Sequence, residues 1–146
     1  MFVDELLLIA REHLVTITED APLIRAAGLL HKGADLAVVC NVDGQVVGVV
    51  TKTDVVDQIS HCQGASCTCA LSSIMSRDVL LCRLGDSLFD LWAKMKARGF
   101  KNVPLVDRDS RPLGIVTARD ALQVLLTEAE SEEVVLRDYV MGFGYR

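Results

Sequence analysis

Residues 3–60 can be laid on residues 69–126 at a constant offset of 66 without a gap. Ten positions are then identical: Arg11/Arg77, Leu14/Leu80, Asp20/Asp86, Ala27/Ala93, Gly33/Gly99, Asp43/Asp109, Gly48/Gly114, Val50/Val116, Thr51/Thr117 and Asp54/Asp120. Many other pairs exchange one apolar residue for another, among them Val15/Leu81, Leu29/Met95, Val39/Leu105 and Val49/Ile115. Agreement is densest where Gly48-Val-Val-Thr51-Lys-Thr-Asp54 meets Gly114-Ile-Val-Thr117-Ala-Arg-Asp120. An internal repeat constrains the fold more than any single motif, because both halves must be the same supersecondary unit. Two such halves are expected to meet about a pseudo-twofold axis, and a site formed by one is expected in the other. A third copy begins at Arg137-Asp-Tyr-Val-Met141, which falls on Leu71-Ser-Ser-Ile-Met75 at the same offset.

Each half predicts the same order of elements. Leu6–Ala10 and Ser72–Met75 are short helical openings. His13–Ile17 and Val79–Arg83 lean to strand, and the turns after them carry Asp20 and Asp86, acids suited to a helix N-cap. Pro22–Lys32 and Leu88–Arg98 place apolar residues at helical spacing, and Gly33 and Gly99 stop them. Leu36–Val42 with Val46–Val50, and Val103–Asp107 with Pro112–Val116, are β-branched runs separated by Asp43-Gly44 and Asp109-Ser110, which predicts two hairpins. Lys52–Ser60 and Ala118–Leu126 close the halves as helices. The fold class is therefore α/β (α+β), two β-α-β-β-α repeats. Neither half can cover its own sheet alone, so the two pack sheet to sheet. The expected organisation is a first repeat over 1–60, a linker over 61–69, a second repeat over 70–127 and a tail over 128–146. The tail is expected to be ordered and to dock near the repeat boundary.

Composition narrows the function classes. A net charge of −5 over 146 residues, without a Lys/Arg cluster, argues against a nucleic-acid partner. No apolar run reaches the roughly 18 residues of a membrane span. Acids at Asp4 and Glu5 stand where a secretory leader would be basic. Five cysteines are an odd number without a disulfide framework. A cytoplasmic location is expected. The apolar fraction of 51% calls for a large core, a buried subunit face, or both.

The repeated Gly-h-h-Thr-x-x-Asp, where h is apolar, sits where a strand ends and a helix begins. One reading is a capping box, with the Thr hydroxyl and the acid each satisfying a backbone N–H. The other is a ligand site. Free N–H groups at a helix start take a phosphate, and a carboxylate accepts from both hydroxyls of a ribose. Gly48 and Gly114, three residues before each Thr, would let a ligand approach the strand closely.

The duplicated motif, with Gly99-Phe-Lys-Asn-Val-Pro-Leu-Val-Asp107 and the opening Ile74-Met75-Ser-Arg-Asp-Val79, resembles a tandem pair of CBS domains, a Bateman module. The resemblance runs from about Leu6 to Leu126. It implies a cleft between the repeats with two related sites for adenosine nucleotides (AMP, ADP or ATP) or S-adenosylmethionine, and no resident cofactor. Ligand residues implied in the second repeat are Thr117, Arg119, Asp120, Lys101, Asn102, Pro104 and Gly114; in the first, Thr51, Asp54 and Gly48. At the positions of Lys101, Asn102 and Pro104 the first repeat has Asp35, Leu36 and Val38, and Lys52 is its one nearby cation, so the second motif is better furnished for phosphate. The family resemblance also implies a homodimer built on the repeat helices, with an unidentified protein partner receiving the signal.

No side-chain set points to catalysis: His13, His31 and His61 are scattered, and no serine occupies a nucleophile elbow. Chemistry in such proteins usually belongs to an attached domain, and with the repeats filling these 146 residues a stand-alone module without catalysis is expected. Three functions follow. The first is a free-standing nucleotide sensor; the second is an interaction dimer with vestigial sites. The third is a thiol-redox module working through Cys62, Cys67 and Cys69, whose spacing with His61 does not match a standard metal knuckle. Cys40 and Cys82 are expected in the core, and Trp92, on a helix face with Leu88, Leu91 and Met95, in core or dimer packing rather than base stacking.

Overall fold

The computed structural model describes residues 2–60 and 69–130. A 3-10 turn over Val3–Leu6 runs into α1 (Leu7–Glu12), followed by β1 (Thr16–Thr18), α2 (Leu23–His31), β2 (Leu36–Cys40), β3 (Val46–Thr51) and α3 (Lys52–Ser60). A second 3-10 turn, Leu71–Ser73, opens the other half, which continues through α4 (Leu88–Arg98), β4 (Asn102–Val106) and β5 (Pro112–Thr117). A last helix, α5, covers residues 118–130. The tail segment 131–146, including the third opening, and the cluster with Cys62 and Cys67 lie outside the described residues.

The two halves repeat each other down to their irregularities. β2 and β3 pair antiparallel with a register shift between Val39 and Cys40, and β4 and β5 do the same between Leu105 and Val106, 66 positions later. Each hairpin turn is tied by a side chain: Asn41 Oδ1 accepts from the N–H groups of Asp43 and Gln45, and Asp107 Oδ1 from those of Asp109 and Arg111. These ties hold the turn residues in left-handed conformations, Gly44 at φ 80° in one hairpin and Ser110 at φ 63° in the other. The tips then join, with Val46 N–H donating to Ser110 O at 2.8 Å.

Sequence expectations fail in two instructive places. Val79–Arg83 is not a full strand; it makes a single parallel bridge, Cys82 to Leu105. Just past that bridge the Asp86 carboxylate takes the N–H of Arg83 at 2.9 Å, in the turn that leads to α4. That acid is therefore not the N-cap of α4. Ser87 is, accepting from Asp90 N–H. Nor does Asp20 cap α2: Pro22 is its N-cap, without a side-chain bond, and the N–H of Leu23 is satisfied by Cys69 O at 2.9 Å. At the other end of α4 the glycine stop holds, with Gly99 left-handed at φ 74° and its N–H bonded to Met95 O.

Among the described residues, buried apolar side chains divide into three clusters. One gathers Ile17, Leu23, Ala26, Val39 and Val50 of the first half but includes Leu71 and Met75 of the second. Another gathers Leu88, Met95, Val103 and Val116 of the second half but includes Val3, Leu6 and Ala10 of the first. Between them, Val38 and Val49 of the first sheet pack with Ile115 of the second, closing the sheet-to-sheet contact. The openings are thus exchanged: each repeat lends its first turn to its neighbour's core. Backbone bonds confirm it, with Ser76 and Val49 paired at 3.0 and 2.9 Å and Val3 N–H donating to Asp86 O at 3.0 Å.

The exchange is possible because both strands carry glycine at the crossing. A Cβ built on Gly48 would stand 2.7 Å from Ser76 O, and one on Gly114 would stand 2.6 Å from the Ala10 carbonyl carbon. The space each glycine leaves open is filled by the chain itself, not kept for a ligand. Ala10 and Ser76, the residues seated there, are also equivalent at the 66-residue offset. Gly114→Ala should lower unfolding free energy by about 1–3 kcal/mol in denaturant melts, since backbone cannot yield as a side chain tip can. Gly28→Ala, in the middle of α2 with nothing within 4 Å of the new methyl, should raise it by about 0.5–1 kcal/mol. Equal effects of the two would contradict the crossing.

Candidate functional site

The sequence-predicted residues of the second repeat meet at one end of its sheet. β5 ends on Thr117 and α5 begins at the next residue, while the start of β4 lies alongside, with Asn102 opposite Thr117. The Ala118 N–H donates to Lys101 O at 2.8 Å, so the strand start is tied to the helix start. Lys101, Asn102, Thr117, Arg119 and Asp120 are thereby gathered around one helix N-terminus. Pro104 is set deeper, buried opposite Ile115, with its carbonyl accepting from Cys82 N–H at 3.0 Å. In the first repeat Thr51 ends β3, Lys52 starts α3, and Leu36 stands opposite Thr51. Gly48 and Gly114 belong to the same strands but face the exchanged openings.

The two acids are used differently. In the first repeat the capping box is closed in both directions: Asp54 N–H donates to Thr51 Oγ1 at 3.2 Å, and Thr51 N–H donates to Asp54 Oδ2 at 2.9 Å. In the second, Asp120 N–H keeps its bond to Thr117 Oγ1 at 3.0 Å. Its carboxylate, however, accepts from elsewhere, with Oδ2 3.0 Å from His13 Nε2. His13 is the C-cap of α1, and the two residues are separated by 107 positions. Sequence reasoning left His13 among scattered histidines. No local pattern marks it, because only the exchanged opening carries it across.

Charge follows the same asymmetry. Lys52, the first motif's cation, sits 3.6 Å from Asp35, the acid that replaces Lys101 there. Both side chains are largely exposed, so the pair adds little stability, but it sets a carboxylate beside the first helix start. Lys101 and Arg119 make no ion pair among the described residues. The positive end of α5 is therefore flanked by cations, which favours a phosphate or other anion there.

Among the described residues no set of three or more His, Cys, Asp or Glu side chains is grouped to hold a metal ion. Cys40 and Cys82 are buried as expected, and Trp92 is packed at the edge of the second core under Lys96. Burial pushes the Cys82 thiol up to about 12, with the charge of Asp86 adding to the rise and Arg83 opposing it.

A family model described as CBS domain matches residues 3–61 and again residues 71–127. The chain belongs to the CBS-domain family. Among solved structures, the pair is similar to a CBS-domain protein from Agrobacterium tumefaciens, at 30% identity and TM-score 0.70, covering 84% of this chain and 91% of that one. It shares its fold, at 22% identity and TM-score 0.72 over 88% and 98% of the two chains, with a CBS domain pair solved in complex with 5′-methylthioadenosine and S-adenosylmethionine. A curated relative, an uncharacterized protein of Methanocaldococcus jannaschii, is 25% identical over 90% of this chain. The CBS pair spans 52% of that relative, about half its length.

The state of Cys82 gives a pH test. The folded thiol keeps its proton to about 12, whereas an unfolded thiol ionises near 9.0. Its contribution to stability is whole below the lower value and is lost as pH rises toward the higher. Between about pH 9.5 and 10.5, unfolding free energy should fall by about 1 kcal/mol from this group. Cys82→Ala should remove that part of the slope in parallel denaturant melts; an unchanged slope would place the thiol in contact with water.

Proposed function

We propose that this CBS pair is a regulatory module that binds an adenosine-bearing ligand, AMP, ADP, ATP or S-adenosylmethionine, principally at the second motif. The observation that carries the reading is the contrast between the two helix starts. One has Lys101 and Arg119 beside the helix N-terminus and an acid turned out of its capping box. The other has a closed box and its lysine beside Asp35. In the assignment that follows, Asp120 accepts from the ribose hydroxyls. The Thr117 hydroxyl and the Arg119 amide meet the phosphate, since the amides of Ala118 and Asp120 are already bonded to Lys101 O and Thr117 Oγ1, and Lys101 or Arg119 neutralises it. The adenosine compounds held by the structural neighbour described above support the ligand class. In this reading the module reports occupancy to a protein partner by favouring one arrangement of its repeats over another. In titration calorimetry with AMP, ATP and S-adenosylmethionine, at least one should bind. Asp120→Ala should weaken it by one to two decades, the loss of charge-assisted bonds of about 1.5–3 kcal/mol. An unchanged affinity in that variant would show the wrong site was chosen.

The module works as a homodimer in this proposal. The helices expose Ile24 on α2, Val56 and Ile59 on α3, Phe89 on α4, and Leu122 and Leu126 on α5. Val56 and Leu122 are equivalent at the 66-residue offset, so the apolar surface repeats with the fold. Beside Val56, a groove of about 290 Å³ between α2 and α3 is lined by Ala27, Leu30, His31, Lys52 and Val55. A surface of this kind on a repeated scaffold suits a twofold partner. Sedimentation equilibrium should give twice the 15.9 kDa chain mass, and Val56→Glu with Leu122→Glu should return it to one. A concentration-independent monomer before mutation would dismiss the dimer.

A further inference from the structure

We infer that His13 is the positioning residue of the second motif, holding Asp120 ready for a ribose, so that the opening of the first repeat is a working part of the second repeat's site. The inference rests on the nucleotide reading above and names what makes the two motifs unequal. The residue equivalent to His13 is Val79, an apolar side chain packed between the sheets, which can donate nothing to Asp54. That acid spends Oδ2 on the N–H of Thr51. Asp120 has the same sequence context, yet its Oδ2 is bound by an imidazole instead.

The chemistry of the contact favours positioning over blockade. An ionised carboxylate offers about four acceptor sites, two on each oxygen. A single bond from Nε2–H to Oδ2 fixes the group's orientation and leaves Oδ1 able to take hydroxyl donors. The pair is also accessible, with 21% of the Asp120 side chain and 43% of the His13 side chain exposed, so a ligand can reach it. Its placement is stiff. His13 closes α1 with its own N–H on Ala10 O at 3.2 Å, and Ala10 is the residue pressed against Gly114. The glycine crossing thus fixes where the imidazole stands. A sugar held by Asp120 would therefore depend on both repeats at once.

The test uses the full chain and calorimetry with ATP and its 2′-deoxy and 3′-deoxy analogues, on wild type, His13→Gln, His13→Asn, His13→Val and Asp120→Ala. The glutamine amide reaches as far as Nε2 and keeps a donor for Asp120; the shorter asparagine does not reach, and valine has no donor. Wild type and His13→Gln should prefer ATP over the deoxy analogues. His13→Asn and His13→Val should bind ATP about tenfold more weakly and lose that preference, and His13→Val should add nothing in the Asp120→Ala background. Retained affinity and ribose preference in His13→Val, with Asp120→Ala still weakened, would overturn the role of His13 alone. Absence of binding by AMP, ATP and S-adenosylmethionine alike to wild type would remove the ligand reading first, and this inference with it. Melts of the Gln and Asn variants should coincide, separating a lost ligand contact from a damaged fold.

Discussion

Everything in this molecule depends on two places where backbone crosses backbone at glycine. At Gly48 and at Gly114 the strand has no side chain, and the opening turn of the opposite repeat lies directly on it. Because the contact is backbone on backbone, it tolerates almost no displacement. It therefore fixes the relative position of the repeats more tightly than interdigitating side chains could. The valines and isoleucine between the sheets add apolar burial, and the joined hairpin tips add a hydrogen bond, but both follow from a placement already set by the crossings.

On this symmetric frame the chain writes an asymmetric surface. The two threonines and two aspartates are the same residues in the same places. What differs is their company: Asp35 or Lys101, Lys52 or Ala118, Val79 or His13. A few substitutions at equivalent positions turn one strand-to-helix junction into a self-satisfied cap and leave the other with unspent cations. Duplication supplies two junctions; divergence around each decides whether it stays structural.

Much of this was legible in the chain. The offset of 66 gave two like halves, and β-branched runs around Asp43-Gly44 and Asp109-Ser110 gave the hairpins. Helix α3 falls at its expected bounds, Lys52–Ser60. What stayed hidden were partnerships between residues far apart. Asp86 reads as a helix cap because acids before helices usually are, yet its carboxylate accepts from the N–H of Arg83, three residues back. Gly48 and Gly114 read as room for a ligand, because sequence shows that space is needed but not what fills it. His13 carried no signal at all, since its partner lies 107 positions away and is reached through the exchange of openings.

That exchange also changes what counts as one unit of this protein. A single repeat on its own would present a bare glycine-lined strand with nothing lying in it, and an opening turn with no berth. Two separate copies could satisfy each other as fully as the joined halves do. The peptide connection between the repeats is thus a matter of stoichiometry rather than of architecture: it guarantees one of each half in every molecule. A pair of identical separate repeats could not turn one junction into a cap without doing the same to the other, whereas two repeats on one chain can differ.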